Sequence, residues 1–372
     1  MNRPWFRTPP PFRNRMPRHT SDLRICATKP LLAPAVLEDE LPLDEARAEF
    51  VAKTRDEIAA ILSGSDDRLF AVVGPCSIHD PESAVQYAGL LQAAAARHAA
   101  ELLIVMRVYF EKPRTVAGWK GLISDPDIDG TFRINKGLRL ARKLMLDIAG
   151  LGLGVGTEFL DTTFGQYYAD LVSWGSIGAR TVESQIHRQL ASGLSMPVGF
   201  KNRTDGDVQV AVDAILSARH PHWFPSVTRE GAPAIMETLG NDQTHIVLRG
   251  GTRGPNFSSE HVRAAAALLR AKDLPPGMMI DCSHANCGKD AEREPAVAAD
   301  VAAQVASGER AIAAVMIESN LLGGVQDYRQ RPLVPGRSIT DPCLSWEKTL
   351  PVLAELAGAV RARRKKTKAR ET

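Results

Sequence analysis

Eight short apolar runs, separated by stretches with helical periodicity, constrain this chain more than any other feature. They end near Cys76, Arg107, Glu158, Arg180, Lys201, Arg249, His284 and Glu318. Alternating short apolar runs and helices imply a parallel sheet buried on both faces. Eight such repeats are what a closed barrel requires. The expected fold is α/β, a (β/α)8 TIM barrel with an N-terminal helical/strand extension, and an open doubly wound sheet is its rival. A further run, Trp223 to Val227, faces Ala234 to Thr238 across a turn at 229–231. It reads as an inserted β-hairpin within 222–240, outside the barrel count.

Every one of the eight runs gives way to a chemically capable side chain. Solvent-facing strand ends would give a mixture of Ser, Asn, Gly and Asp instead. In a βα barrel the carboxyl ends of the strands share one mouth, so these residues should converge. Arg107, Arg180, Lys201 and Arg249 form a cationic set, joined by Lys112 and Arg114 from the stretch MRVYFEKPRTVAGWKGL at 106–122. Arg makes forked contacts with carboxylate or phosphate, and Lys supplies a point charge. So many cations in one mouth call for polyanionic ligands. Cys76, His284 and Glu318, with Asp341 after the last strand, form a second set whose thiolate, imidazole and carboxylates suit Zn, Mn, Fe or Co.

Helix signals frame the barrel. Asp44 to Leu62 carries apolar residues at helical spacing, and Asp80-Pro81 is an N-cap and first-turn pair. Residues 1–40 read as a basic, Pro-rich disordered arm, since the first twenty hold five Arg, five Pro and no acid. Residues 361–372, with seven Lys/Arg between 361 and 370, read as a basic disordered tail. The single barrel domain is expected over 41–360. Five scattered cysteines and no bilayer-length apolar run point to a cytoplasmic protein outside any membrane. A net charge of +3 is too small to argue for nucleic acid.

Several longer motifs resemble those of one family. They are GPCSIHDP (74–81), MRVYFEKPRT with GWKGL (106–115, 118–122), GTEFLD (156–161), WGSIGARTVESQ (174–185), PVGFKN (197–202), IVLRGG (246–251), MIDCSHAN (279–286) and MIESN (316–320). Together they look like the class I, microbial feedback-regulated 3-deoxy-D-arabino-heptulosonate 7-phosphate (DAHP) synthases. The resemblance implies a metal-dependent condensation of phosphoenolpyruvate with D-erythrose 4-phosphate, the first step towards chorismate and the aromatic amino acids.

Carried over by position, the resemblance implies metal binding by Cys76, His284, Glu318 and Asp341. It implies phosphoenolpyruvate binding by Arg107, Lys112, Arg180, Lys201 and Arg249, with Glu158 and Asp341 counted among the substrate contacts. Arg114 and Thr115 fall on the sugar phosphate, and the catalytic roles fall on Lys112, Cys76 and His284. The hairpin and the helix before the barrel resemble regulatory additions that take part in subunit contacts, implying a homodimer or homotetramer, and bind an aromatic amino acid, Tyr or Phe. Ser195, Met196, Cys282 and Asn320 resemble tyrosine-sensitive members. Arg203, where the family usually has Gly, and Val325, where it has Asn, depart from the pattern. A sister synthase using arabinose 5-phosphate is the nearest alternative; the KPRT loop and the hairpin speak against it. A Schiff-base aldolase using Lys112 or Lys201 is another, and it would ignore chelators.

Overall fold

Regular structure starts where the sequence supplies caps. A computed structural model describes residues 20–114 and 118–371. The chain divides into two units, 1–31 and 32–372. Of the first, residues 20–31 carry a turn in which Ile25 N donates to Asp22 O at 3.1 Å. In the second, α1 (Pro34–Glu40) has Pro in its first turn, and α2 (Glu45–Ser63) begins at Asp44, whose side chain accepts from Arg47 N at 2.8 Å. Gly64 ends α2 at φ +84°, the left-handed conformation that glycine adopts without a steric penalty.

From there strand and helix alternate: β1 (Leu69–Gly74), α3 (Pro81–Arg97), β2 (Leu102–Arg107), α4 (Ile134–Gly150), β3 (Gly154–Glu158), β4 (Trp174–Ile177), α5 (Gln185–Ser192), β5 (Val198–Lys201) and α6 (Gln209–Ala218). The hairpin β6 (Trp223–Val227) and β7 (Pro233–Glu237) interrupts the rhythm. It resumes with β8 (Thr244–Leu248), α7 (Ser259–Arg270), β9 (Met278–Asp281), α8 (Glu294–Ser307), β10 (Ile312–Asn320) and α9 (Trp346–Glu371). The sheet order is β1-β2-β3-β4-β5-β8-β9-β10, all parallel, and β10 pairs back onto β1 with Gly74 opposite Glu318. This closed eight-strand barrel is the fold the eight runs imply, and the open-sheet alternative is excluded.

Strand alternation divides the apolar residues into two cores. Phe70, Val72, Val105, Trp174, Val247, Met279 and Met316 point into the barrel, and Ile58 and Ile61 of α2 pack against them. Leu69, Ala71, Val73, Ile104, Met106, Ile246 and Ile280 point outwards under the helices. That is why the runs read as continuously apolar rather than alternating.

Five local expectations change. Residues 163–171, expected as one helix, form two short 3-10 turns, Phe164–Tyr167 and Ala169–Leu171. The extension before the barrel is helical, and no strand occurs among its described residues; α1 lies inside the segment expected as a disordered arm. The tail expected as disordered after 360 continues α9 to Glu371. Arg363 donates to Asp67 O, and Arg364 Nε donates to Asp67 Oδ2 at 2.9 Å, so contacts with a loop hold what composition reads as solvated. The hairpin forms, with Val227 opposite Pro233 and Trp223 opposite Glu237, so its second strand starts and ends one residue earlier than expected.

Candidate active site

The strand ends do meet. Arg107, the last residue of β2, is 1% exposed and laces three strands together. Its Nε donates to Pro75 O at 3.0 Å, and its Nη2 donates to Cys76 O at 3.1 Å and to Glu318 Oε1 at 2.8 Å. The guanidinium lies 3.5 Å over the Tyr109 ring. A buried cation is tolerable only with such partners.

The loop after β2 brings Lys112 to the same mouth. Lys112 N donates to Lys120 O at 3.0 Å, closing the base of the loop. Gly121 is required there: at φ +120° a Cβ would stand 1.9 Å from Phe110 O. Lys112 Nζ lies 2.8 Å from Cys76 Sγ and 2.7 Å from Asp341 Oδ2. Burial opposes the ammonium's charge, but Cys76, Glu318 and Asp341 outweigh it and hold Lys112 protonated. Arg114 Nε donates to Trp119 O at 2.8 Å. Thr115, expected beside Arg114, lies outside the described residues.

Glu111, one residue before Lys112, is buried and accepts from Asp161 N at 3.3 Å. Burial pushes its carboxyl up to about 8. The folded state therefore holds a proton that the unfolded chain releases near 4.5. Stability from this group is full below that pH and is lost as pH rises towards 8. At pH 8.5 Glu111→Gln should be more stable than wild type by roughly 4–5 kcal/mol, and at pH 4.5 no more stable. Denaturant melts at the two pH values check this, and an equal difference at both would refute it.

His284 takes the left-handed conformation, φ +56°, uncommon for a non-glycine residue. Its Nδ1 lies 2.9 Å from Asp281 Oδ2 and its Nε2 lies 3.5 Å from Glu318 Oε1. Burial lowers the imidazole below its ordinary value despite the facing Asp281 and Glu318, which favours the neutral ring. Burial also pushes the Cys76 thiol up to about 11. Asp341 comes to the mouth because Leu344 and Ser345 pair in parallel with Ser319 and Asn320 of β10. Its carboxyl, raised by burial, is pulled well below the usual range by Lys112.

The donor chemistry fits a borderline divalent metal: one thiol, one neutral imidazole and two carboxylates. They stand as two pairs, Cys76 Sγ to Asp341 Oδ2 at 3.5 Å and His284 Nε2 to Glu318 Oε1 at 3.5 Å. Each separation is that of neighbouring ligands about 2.0–2.3 Å from a common ion. As they stand, no group of three or more such side chains among the described residues is drawn together into one cluster. The Lys112 ammonium bridges the first pair instead.

Beside them opens a cleft lined by Arg107, Lys112, Glu158, Arg180, Lys201, Arg249 and His284. The sequence set is thus brought together, except that Arg114 is directed to its own loop. Two residues were missed. Asp281 pairs with Lys201 Nζ at 3.1 Å and with His284, and Glu294 Oε2 accepts from Glu318 N at 3.0 Å. Asp281 had a signal, since it ends the run Met278–Ile280 three residues before His284.

Residues 44–354 match the model of the DAHP synthetase I family. The chain belongs to the DAHP synthetase I family. A Phe-sensitive phospho-2-dehydro-3-deoxyheptonate aldolase of Escherichia coli K12 is 55% identical, over 92% of this chain and 98% of its own. A tyrosine-inhibited one of Schizosaccharomyces pombe is 50% identical, over 94% and 95%. The solved structure of a phospho-2-dehydro-3-deoxyheptonate aldolase from Francisella tularensis SCHU S4 superposes with a TM-score of 0.90 at 52% identity, covering 91% of this chain and 99% of that one. The resemblance carried by the motifs holds, and with it the reading of the chain as an enzyme of this family.

In this DAHP synthetase I chain a second, larger cavity of about 830 Å³ lies away from the barrel mouth. The hairpin's inner face, Phe224 and Met236, forms one wall, and Val51 and Arg55 of α2, Gln166, Leu194 and Ser195 form the others. On the outer face Trp223 is 64% and Ile235 74% exposed. Among the described residues no helix is long and apolar enough to cross a membrane.

Proposed function

We propose that this protein condenses phosphoenolpyruvate with D-erythrose 4-phosphate and water, giving DAHP and phosphate. The observation that carries the reading is the cationic cleft opening beside the Cys76, Asp341, His284 and Glu318 side chains at one barrel mouth. Arg107, Lys112, Arg180, Lys201 and Arg249 hold the phosphate and carboxylate of phosphoenolpyruvate. Arg114, with Thr115, takes the sugar phosphate. Fixing both substrates sets C3 of the enol against the aldehyde carbon and removes much of the entropic barrier. The C–C bond forms as Lys112 gives a proton to the aldehyde oxygen. Water then adds at C2, and cleavage of the C2–O bond releases phosphate.

Cys76, His284, Glu318 and Asp341 would hold a divalent metal, Mn, Fe, Co or Zn. When bound it supplies Lewis acidity towards the aldehyde oxygen. Turnover of phosphoenolpyruvate with erythrose 4-phosphate that is abolished by EDTA and restored by added metal is the expected result; full activity in EDTA would sink the metal assignment.

The cavity under the hairpin is proposed as the site of an aromatic amino acid effector, since relatives are named Phe-sensitive or tyrosine-inhibited. Phe224, Leu194 and Met236 suit a ring, and Arg55, Gln166 and Ser195 suit an amino acid's polar end. The hairpin's outer face is proposed as a contact between subunits of a cytoplasmic homodimer or homotetramer, readable as mass in sedimentation velocity. Titrating activity separately against Phe, Tyr and Trp should show inhibition by Tyr or Phe, and Phe224→Ala should relieve it at least tenfold. No response to any of the three refutes the regulatory reading.

A further inference from the structure

Asp281 is the last residue of β9 and is fully buried. Met279 points into the barrel and Ile280 outwards, so alternation aims Asp281 inwards, at the top of the interior. Four donors converge on its carboxylate. Oδ1 accepts from Ser283 N at 3.0 Å and Ser283 Oγ at 2.5 Å. Oδ2 faces Lys201 Nζ at 3.1 Å and His284 Nδ1 at 2.9 Å. A single oxygen thus faces one residue of the cationic cleft and one of the four proposed metal ligands.

We propose that Asp281 is a positioning residue that couples phosphoenolpyruvate binding to metal binding through this shared oxygen. The inference rests on the substrate and ligand roles proposed above. His284 Nδ1 lies 2.9 Å from Asp281 Oδ2 and 2.8 Å from Ser283 Oγ, which itself donates to Asp281; this carboxylate-centred set favours the tautomer that leaves the Nε2 lone pair facing Glu318 Oε1, 3.5 Å away. By pairing with Lys201 it neutralises a buried ammonium that has no other acidic partner among the described residues, and it sets where that ammonium meets the substrate. Ser283 clamps the other oxygen, so the carboxylate has little freedom to turn towards one partner alone. A shift of Lys201 on binding substrate therefore displaces His284, and a ligated His284 holds Asp281 where Lys201 needs it. The effect is reciprocal, as linkage demands.

The test measures binding, not turnover. Mn²⁺ is titrated into the metal-stripped full-length chain and free ion is read by paramagnetic resonance. Phosphoenolpyruvate binding is read by calorimetry with and without Mn²⁺. Asp281→Asn should weaken Mn²⁺ and phosphoenolpyruvate each by about tenfold or more. It should also bring the ratio of phosphoenolpyruvate affinities with and without Mn²⁺ close to one. Lys201→Met should weaken phosphoenolpyruvate only. Should Asp281→Asn fail to fold, the double variant Lys201→Met/Asp281→Asn removes both charges, and it should bind Mn²⁺ about tenfold more weakly than Lys201→Met. Cys76→Ala separates the two levels of inference. If it keeps Mn²⁺ affinity, the ligand assignment fails. If it loses Mn²⁺ while Asp281→Asn binds both ligands as wild type, or loses phosphoenolpyruvate alone, the coupling role of Asp281 is overturned.

Discussion

Lys112→Ala is expected to lower kcat by about 10³-fold or more while leaving the protein folded. Two functions end with that ammonium. It is the proposed proton donor to the aldehyde oxygen, and it is one of the cations that hold phosphoenolpyruvate. Its position serves both, since Nζ sits between Cys76 Sγ and Asp341 Oδ2 at the edge of the cationic cleft. The fold should survive because Lys112 stands on a loop and the Asp341 side chain is 44% exposed, so water can solvate the carboxylate left behind. Lys112→Arg should not rescue, because a planar fork cannot replace a point donor in the same space. Steady-state kinetics with circular dichroism checks this. Activity within tenfold of wild type in a folded Lys112→Ala protein would remove Lys112 from the chemistry.

The barrel and much of its mouth were legible because each strand is buried on both faces. Leu69–Val73 and Ile312–Ile317 read as unbroken apolar runs, so their ends are sharp and the next polar residue is conspicuous. The hairpin was legible for the opposite reason: its half-exposed strands alternate Trp223, Phe224, Pro225 between outside and inside. Three features were not legible. Asp281 shows in sequence as the polar end of β9, but its burial between Lys201 and His284 does not. Glu111 and Glu294 look like surface charges in sequence, and only tertiary contacts bury them, with Asp161 N and Glu318 N as partners. The basic end of α9 depends on Asp67, some three hundred positions away. Propensity and periodicity are local, so they see none of these contacts. The pairing of cations with acids also escaped sequence reasoning: Arg107 with Glu318, Lys112 with Asp341 and Lys201 with Asp281. That pairing is what lets so many like charges share one mouth.

Cys76→Ala should cost more than about 100-fold in metal affinity and take turnover below about 1% of wild type, with the melting profile little changed. The thiol is fully buried, yet its sulfur is surrounded by polar groups that could serve an ion beside it. Lys112 Nζ stands 2.8 Å away, Thr340 Oγ1 donates from 3.2 Å, and the Asp341 carboxylate lies 3.5 Å off. A cysteine kept only for packing would face apolar atoms rather than an ammonium, a hydroxyl and a carboxylate. Alanine removes the soft donor and leaves His284, Glu318 and Asp341, a harder set that keeps more of its affinity for Mn²⁺ than for Zn²⁺. The loss should therefore be steeper for Zn²⁺ than for Mn²⁺, and Cys76→Ser should recover Mn²⁺ more than Zn²⁺. Metal content after dialysis, measured beside activity with each ion, reads both effects. A Cys76→Ala protein that keeps its metal and full turnover would leave Cys76 a packing residue and the other three side chains without a fourth partner.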